Sequence, residues 1–165
     1  MKLALLDKLQ SLRSECIPTV LVTDLESGLQ AVVTSDETIG DLALAEATRL
    51  AALARLKSDR SGRLDGDDAN LFVQCFNPPL RMIIVGAVHI TQALAPLAGI
   101  AGYAVTIIDP RRSFATEERF PGVTLNHEWP DDAMAELKPD SRTAVITLTH
   151  DPKLDDPALQ EALRS

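Results

Sequence analysis

The chain has 165 residues, 45% of them hydrophobic and only 4% aromatic, with a net charge of −8 at neutral pH. That length supports one domain, or one domain with a small appendage, around an aliphatic core. The acid excess is shared by both halves and no basic tail exists, which argues against nucleic acid as a partner. No apolar run is long enough for a membrane span. Residues 1–8 already contain Asp7, so no signal peptide is read there and a cytoplasmic protein is expected. Cys16 and Cys75 lie far apart and outside any C-x-x-C spacing, so neither a disulfide framework nor structural zinc is expected.

In chain order, residues 2–14 place Leu5, Leu9 and Leu12 at helical spacing, and Pro18 follows as a stop. Residues 19–24 read as a strand, 26–28 as a turn, and 29–34 as the hairpin partner. A second helix is expected over 41–57, with Leu42, Ala45, Leu50, Leu53 and Leu56 as its apolar face. A polar turn follows, then Leu64 and a short strand over 69–76. Residues 1–77 thus form a small α+β region. Asn77-Pro-Pro marks its boundary, because two prolines interrupt a ladder and favour an extended connector.

Beyond the boundary the periods change. Residues 80–85 are apolar save for Arg81, as in a strand covered on both faces. A helix is expected over 89–101, kinked by Pro96, capped by Gly102, and with Ile90, Leu94, Leu97 and Ala98 turned inward. Strand 104–108 ends at Asp109, and residues 110–120 are irregular and charged. A short strand at 123–125, a short helix at 131–137, a fourth strand at 143–149 and a last helix from 155 complete the alternation. The expected fold class is α/β. Residues 78–165 make a Rossmann-like parallel sheet of at least four strands, incomplete as such sheets go.

Gly86, at the first strand's end, fits the opening glycine of G-x-G-x-x-G, but Val88 and Thr91 replace the second and third. The candidate site is an anion cradle built from the main-chain N–H groups of Gly86-Ala87-Val88-His89 and the helix that follows. Val88 crowds the approach of a diphosphate. Asp109 lies 23 residues after Gly86, a suitable place for a ribose-binding carboxylate. Arg111 and Arg112 follow it as possible phosphate holders; an Asp-Pro turn with solvated arginines is the bland alternative. Thr149, His150 and Asp151 end the fourth strand at the same edge, suited to acid–base chemistry, to hydrogen bonding of a ligand ring, or to capping the last helix. His127 reads as structural. No serine or cysteine nucleophile and no metal-ligand spacing accompanies these residues, so no catalytic or metal residue is assigned.

Several blocks carry a family resemblance: Gly86-Ala-Val-His, Ala93-Leu-Ala-Pro-Leu-Ala, Asp109-Pro-Arg, Phe114-Ala-Thr with Glu118-Arg-Phe-Pro, and Thr147-Leu-Thr-His-Asp-Pro-Lys-Leu-Asp-Asp. Together they resemble the XdhC/CoxI family, maturation factors for molybdenum hydroxylases such as xanthine and carbon monoxide dehydrogenases. The resemblance implies a chaperone-type accessory protein rather than an enzyme. It also implies a molybdopterin-type molybdenum cofactor held by Gly86, Ala87, Val88, His89, Asp109, Arg111, Thr149, His150 and Asp151, and a molybdenum hydroxylase apoenzyme as partner. The alternatives are an NAD(P)-dependent oxidoreductase and a ligand-free scaffold subunit. Two departures stand out: Val88 where the family usually has glycine, and no glycine- and cysteine-containing loop in the first region. The family pattern also usually continues beyond the last helix, so a shortened relative, a fragment or one part of a split protein is expected. The apolar fourth strand then invites a homo-oligomer, or pairing with a separately encoded remainder of the fold.

Overall fold

A computed structural model describes residues 2–165. The chain divides into two compact units, one ending at Pro78 and the other beginning at Pro79.

The first unit is an antiparallel sheet with a helix on each face. Its elements are α1 (Leu3–Ser14), β1 (Thr19–Asp24), β2 (Gln30–Val33), β3 (Thr38–Gly40), α2 (Glu46–Ser58), β4 (Gly62–Arg63) and β5 (Leu71–Phe76). The strand order is β3-β2-β1-β5-β4. Alternate residues of a strand face opposite ways, so β1 serves two cores. Leu21 joins Leu5, Leu9 and Leu12 of α1, while Val20 and Val22 pack with Ala31, Val33, Val73 and Ala52 of α2. At the hairpin, the Asp24 carboxylate accepts from the Glu26 N–H at 2.9 Å and from the Ser27 hydroxyl at 2.6 Å, which sets the turn.

Two expectations fail here. The second helix begins at Glu46 rather than 41, and Leu42 reaches the core from the irregular segment before it. Leu50 is 56% exposed instead of facing inward. The short edge strands β3 and β4 also carry too few residues to show a period.

The second unit is the parallel sheet, with β6 (Leu80–Val85), α3 (His89–Ile100), β7 (Tyr103–Ile108), β8 (Thr124–Asn126), α4 (Pro130–Leu137), β9 (Thr143–Thr147) and α5 (Pro152–Ala162). The order is β8-β7-β6-β9, every pair parallel. Register aligns the strand ends: Val85 lies beside Ile108 and Thr147, and Ile108 beside Asn126. The chain moves outward from β6 through β7 to β8, then crosses to the other side of β6. That reversal opens a crevice between the loops after β6 and β9. On one face Ile84 and Ile107 pack with Ala87, Ala95 and Phe120; on the other Ile83, Val85 and Ile108 pack with Met134 of α4 and with Leu154 and Ala158 of α5.

α3 buries a different stripe from the one expected. Thr91, Ala95 and Ala98 face the sheet, whereas Ile90 and Leu97 are 60% and 63% exposed. The Thr91 hydroxyl donates to the Gly86 carbonyl at 2.6 Å, and this buried bond fixes the helix rotation. Small side chains at 95 and 98 then let the helix lie close to the sheet. Among the described residues, no helix is long and apolar enough to cross a membrane.

Candidate functional site

The site is assembled from three turns at the carboxyl edge of the parallel sheet, those after β6, β7 and β9. The first is Gly86-Ala87-Val88. Gly86 has φ +114°, and a Cβ there would stand 2.7 Å from Thr149 Cγ2. Only glycine allows both that conformation and that approach. Its N–H donates to the Ile108 carbonyl at 2.8 Å, so the chain leaves β6 still paired to β7. Val88 precedes α3 in an extended conformation and His89 is the first helical residue, exposed to solvent.

The second turn supplies charge. Asp109 is fully buried, and both its oxygens are engaged. Oδ2 accepts from the Ala87 N–H and Arg111 Nη2, each at 2.8 Å; Oδ1 accepts from the Arg111 N–H and Nε, each at 2.9 Å. Burial by itself would raise the Asp109 carboxyl, but the hydrogen bonds from Arg111 and Ala87 outweigh it and hold the group below its ordinary value. Asp109 is therefore not the open ribose acceptor that its spacing suggests; it cements the first turn to Arg111. The Arg111 guanidinium lies 4.5 Å from the Phe114 ring centre. Its pKa is raised by the Asp109 hydrogen bonds first, and the Asp151 charge adds to the effect, so the turns after β7 and β9 share one electrostatic field. Arg112 is exposed.

Arg119 is the site residue that sequence reasoning missed. Its Nη1 donates to the Ala87 carbonyl at 2.9 Å and also to the Phe114 carbonyl, and its Nη2 to Gln92 Oε1 at 3.3 Å. The charged segment 110–120 is thereby folded back onto the first turn. Two of these partners are main-chain carbonyls and the third is the side chain of Gln92, and no spacing announces them. Ala87 is thus held from both sides, its N–H by Asp109 and its carbonyl by Arg119.

The third turn is Thr149-His150-Asp151. The Thr149 hydroxyl donates to Asp155 Oδ1 at 2.6 Å and accepts from the Asp151 N–H at 3.0 Å; the His150 N–H donates to Asp155 Oδ2 at 2.9 Å. Asp151 Oδ1 accepts from the Lys153 N–H at 3.0 Å and caps α5. Thr149 and Asp151 therefore build the turn through their own side chains, and His150 is left exposed with φ +58°. His127, just past β8, is half-buried with Nδ1 lacking a hydrogen-bond partner. Among the described residues, no cluster of His, Cys, Asp or Glu is arranged to hold a metal ion.

A family model, the XdhC Rossmann domain, matches residues 82–165, which is just over half of the chain. The chain belongs to the XdhC family. All of the residues placed at the carboxyl edge fall inside the matched stretch. Among curated proteins, the uncharacterized protein YqeB of Escherichia coli (strain K12) is 25% identical over 115 residues, which cover 67% of this chain and 21% of YqeB. Among solved structures, one described as a xanthine dehydrogenase from Bacillus halodurans superimposes with a TM-score of 0.73 at 17% identity. That match covers 94% of this chain and 47% of the other. The chain thus spans about a fifth of YqeB and about half of the Bacillus protein, and at that identity the latter likeness is one of fold. The XdhC domain here departs from a dinucleotide site at two points, Val88 in the turn and an Asp109 already saturated with donors.

Proposed function

We propose that this XdhC-family chain is a cytoplasmic maturation factor that holds a molybdopterin-type cofactor at the carboxyl edge of its parallel sheet and delivers it to a molybdenum hydroxylase apoenzyme. The observation that carries this reading is the anchoring of Arg111 and Arg119 on either side of Ala87, at the N-terminus of α3, in a chain of net charge −8. Two fixed guanidinium groups and a helix N-terminus make a local anion site within an acidic protein. A phosphate-bearing ligand suits that donor set. Arg111, Arg119 and the N–H groups at 88 and 89 would hold its phosphate, and the exposed imidazoles of His89 and His150 would hydrogen-bond a polar ring. When bound, the cofactor brings the sulfur ligands that hold molybdenum in the recipient enzyme. The chain's own part is to bind, orient and release it.

The nicotinamide alternative draws less support, because Asp109 has no free oxygen lone pair directed to a ribose diol while Arg111 is in place. The test is direct. Protein isolated with cofactor should release an oxidised pterin that fluoresces, and Arg119→Ala should lose most of that signal while keeping a cooperative melt. Absence of pterin from the wild-type protein, together with no measurable binding of added molybdopterin, would refute the reading.

A further inference from the structure

We propose a second ligand site in the parallel-sheet unit, independent of what the carboxyl-edge turns hold: a pocket between α3 and residues 119–123 that takes a small flat ring with a cyclic amide edge, an N–H beside a C=O. The pocket has a volume of about 210 Å³. Gln92, Ala95 and Pro96 of α3 line one side, and Arg119, Phe120 and Val123 line the other. Ala95, Phe120 and Val123 pack on the face of the sheet opposite α4 and α5, so neither β9 nor α5 contributes to the site.

The occupant is read from the two walls. α3 carries a proline in its interior, at Pro96. Proline has no N–H for the carbonyl four residues back. That carbonyl belongs to Gln92, on the same wall of the pocket. A helix carbonyl points along the axis toward the residue four positions on, so this one is aimed at Pro96 and offers the pocket an acceptor. The opposite wall offers a donor. Arg119 reaches the Ala87 and Phe114 carbonyls and Gln92 Oε1, all neutral oxygens, and the last contact is long at 3.3 Å. Its Nη2 therefore keeps N–H capacity for a ligand. Between acceptor and donor the lining is apolar, with Ala95 and Phe120 each 2% exposed. A cyclic amide matches this set, because its N–H and C=O leave one edge side by side while its faces meet carbon. A carboxylate or a phosphate has no N–H for Gln92, and a hydrocarbon leaves both polar groups unmet. The volume lies below the roughly 300 Å³ of the smallest ordinary ligand sites, which limits the occupant to one or two rings.

Uracil is the probe, added to protein free of cofactor, so its result stands apart from the reading of the carboxyl edge. Amide resonances around Pro96 and Arg119 should shift and saturate, with a Kd in the millimolar range expected of so small a molecule. The N,N′-dimethyl derivative keeps both carbonyls but has no N–H, and it should bind about fivefold or more weakly. Pro96→Ala returns an N–H to the Gln92 carbonyl, so the variant should melt at a higher temperature yet bind uracil about fivefold more weakly. Added molybdopterin separates two sources of the ring. Competition with uracil assigns the pocket to the pterin of that ligand, and simultaneous binding assigns it to a free heterocycle. The proposal is overturned if no saturable shift appears around Pro96 and Arg119, or if the dimethyl derivative binds as well as uracil. It is also overturned if Pro96→Ala melts higher and binds uracil unchanged. If Pro96→Ala fails to melt cooperatively, the two probes on the wild-type protein decide.

Discussion

The Ala87 N–H donates to a carboxylate oxygen of Asp109 that no solvent reaches, across 2.8 Å. The turn after β6 is therefore fixed by the end of β7 as well as by its own glycine. Because Arg111 closes on the same carboxylate, its guanidinium and the main-chain turn are one hydrogen-bonded assembly.

Asp109→Asn should destabilise the protein by about 2–3 kcal/mol at neutral pH, by weakening the hydrogen bonds accepted from a charged partner and from a buried N–H. The pH dependence carries the signature. The folded-state pKa of Asp109 is depressed, so its contribution is fully present above the unfolded carboxylate pKa of about 4 and is lost as pH falls through the lower folded value. The gap in melting temperature between wild type and variant should stay constant from neutral pH down to that point and narrow below it. A gap that widens in acid would contradict the assignment.

Gly86→Ala should cost about 2 kcal/mol or more, from a left-handed conformation forced on alanine and a clash with Thr149 Cγ2. The double variant with Thr149→Ser removes the methyl but not the backbone strain, so it should recover part of the loss and no more. Chemical denaturation of the three proteins measures this. Full recovery would mean that the methyl contact alone excludes a side chain.

Arg119→Lys keeps the charge but not the fork that reaches Ala87, Phe114 and Gln92 together. Hydrogen exchange should speed up across residues 111–121 and leave β6 and β7 protected. A global loss of protection would instead make Arg119 a determinant of the whole unit.

His150→Gly separates folding from binding. A non-glycine residue in the left-handed region costs roughly 1 kcal/mol, and the imidazole is exposed, so the variant should be as stable as wild type or slightly more so. Its affinity for molybdopterin should fall. Unchanged affinity would remove His150 from the site.

Much of the fold is legible in the residues because burial writes itself into them. β6 is apolar from Met82 to Val85 since both its faces are covered there, and α1 shows its leucines at helical spacing since only one face is. α3 is misleading because it is apolar nearly all round. Its true inner face is chosen by Thr91 and two alanines, which no hydrophobicity pattern favours over Ile90 and Leu97. At the edge, sequence spacing locates Gly86, Asp109 and His150 but not what they touch. Asp109 reads as an open carboxylate because nothing in Asp-Pro-Arg says that the arginine folds back onto it. Arg119 stands in the Glu118-Arg-Phe-Pro block, yet nothing in that block says that it reaches the Ala87 and Phe114 carbonyls and the Gln92 side chain.

Strand order also governs how the second unit comes together during synthesis. β6 lies at the centre, yet its two neighbours are made at very different times: β7 follows after one helix, whereas residues 86–142 must all emerge before β9 can dock. Until then the β9 side of β6, with Ile83, Ile84 and Val85, has no strand beside it. Long-range parallel pairing of this kind is slow, and a nascent chain held at that stage presents an aliphatic edge to every other chain around it. β9 covers that side of β6 when it docks, and α5, made after it, packs on the same sheet through Leu154 and Ala158.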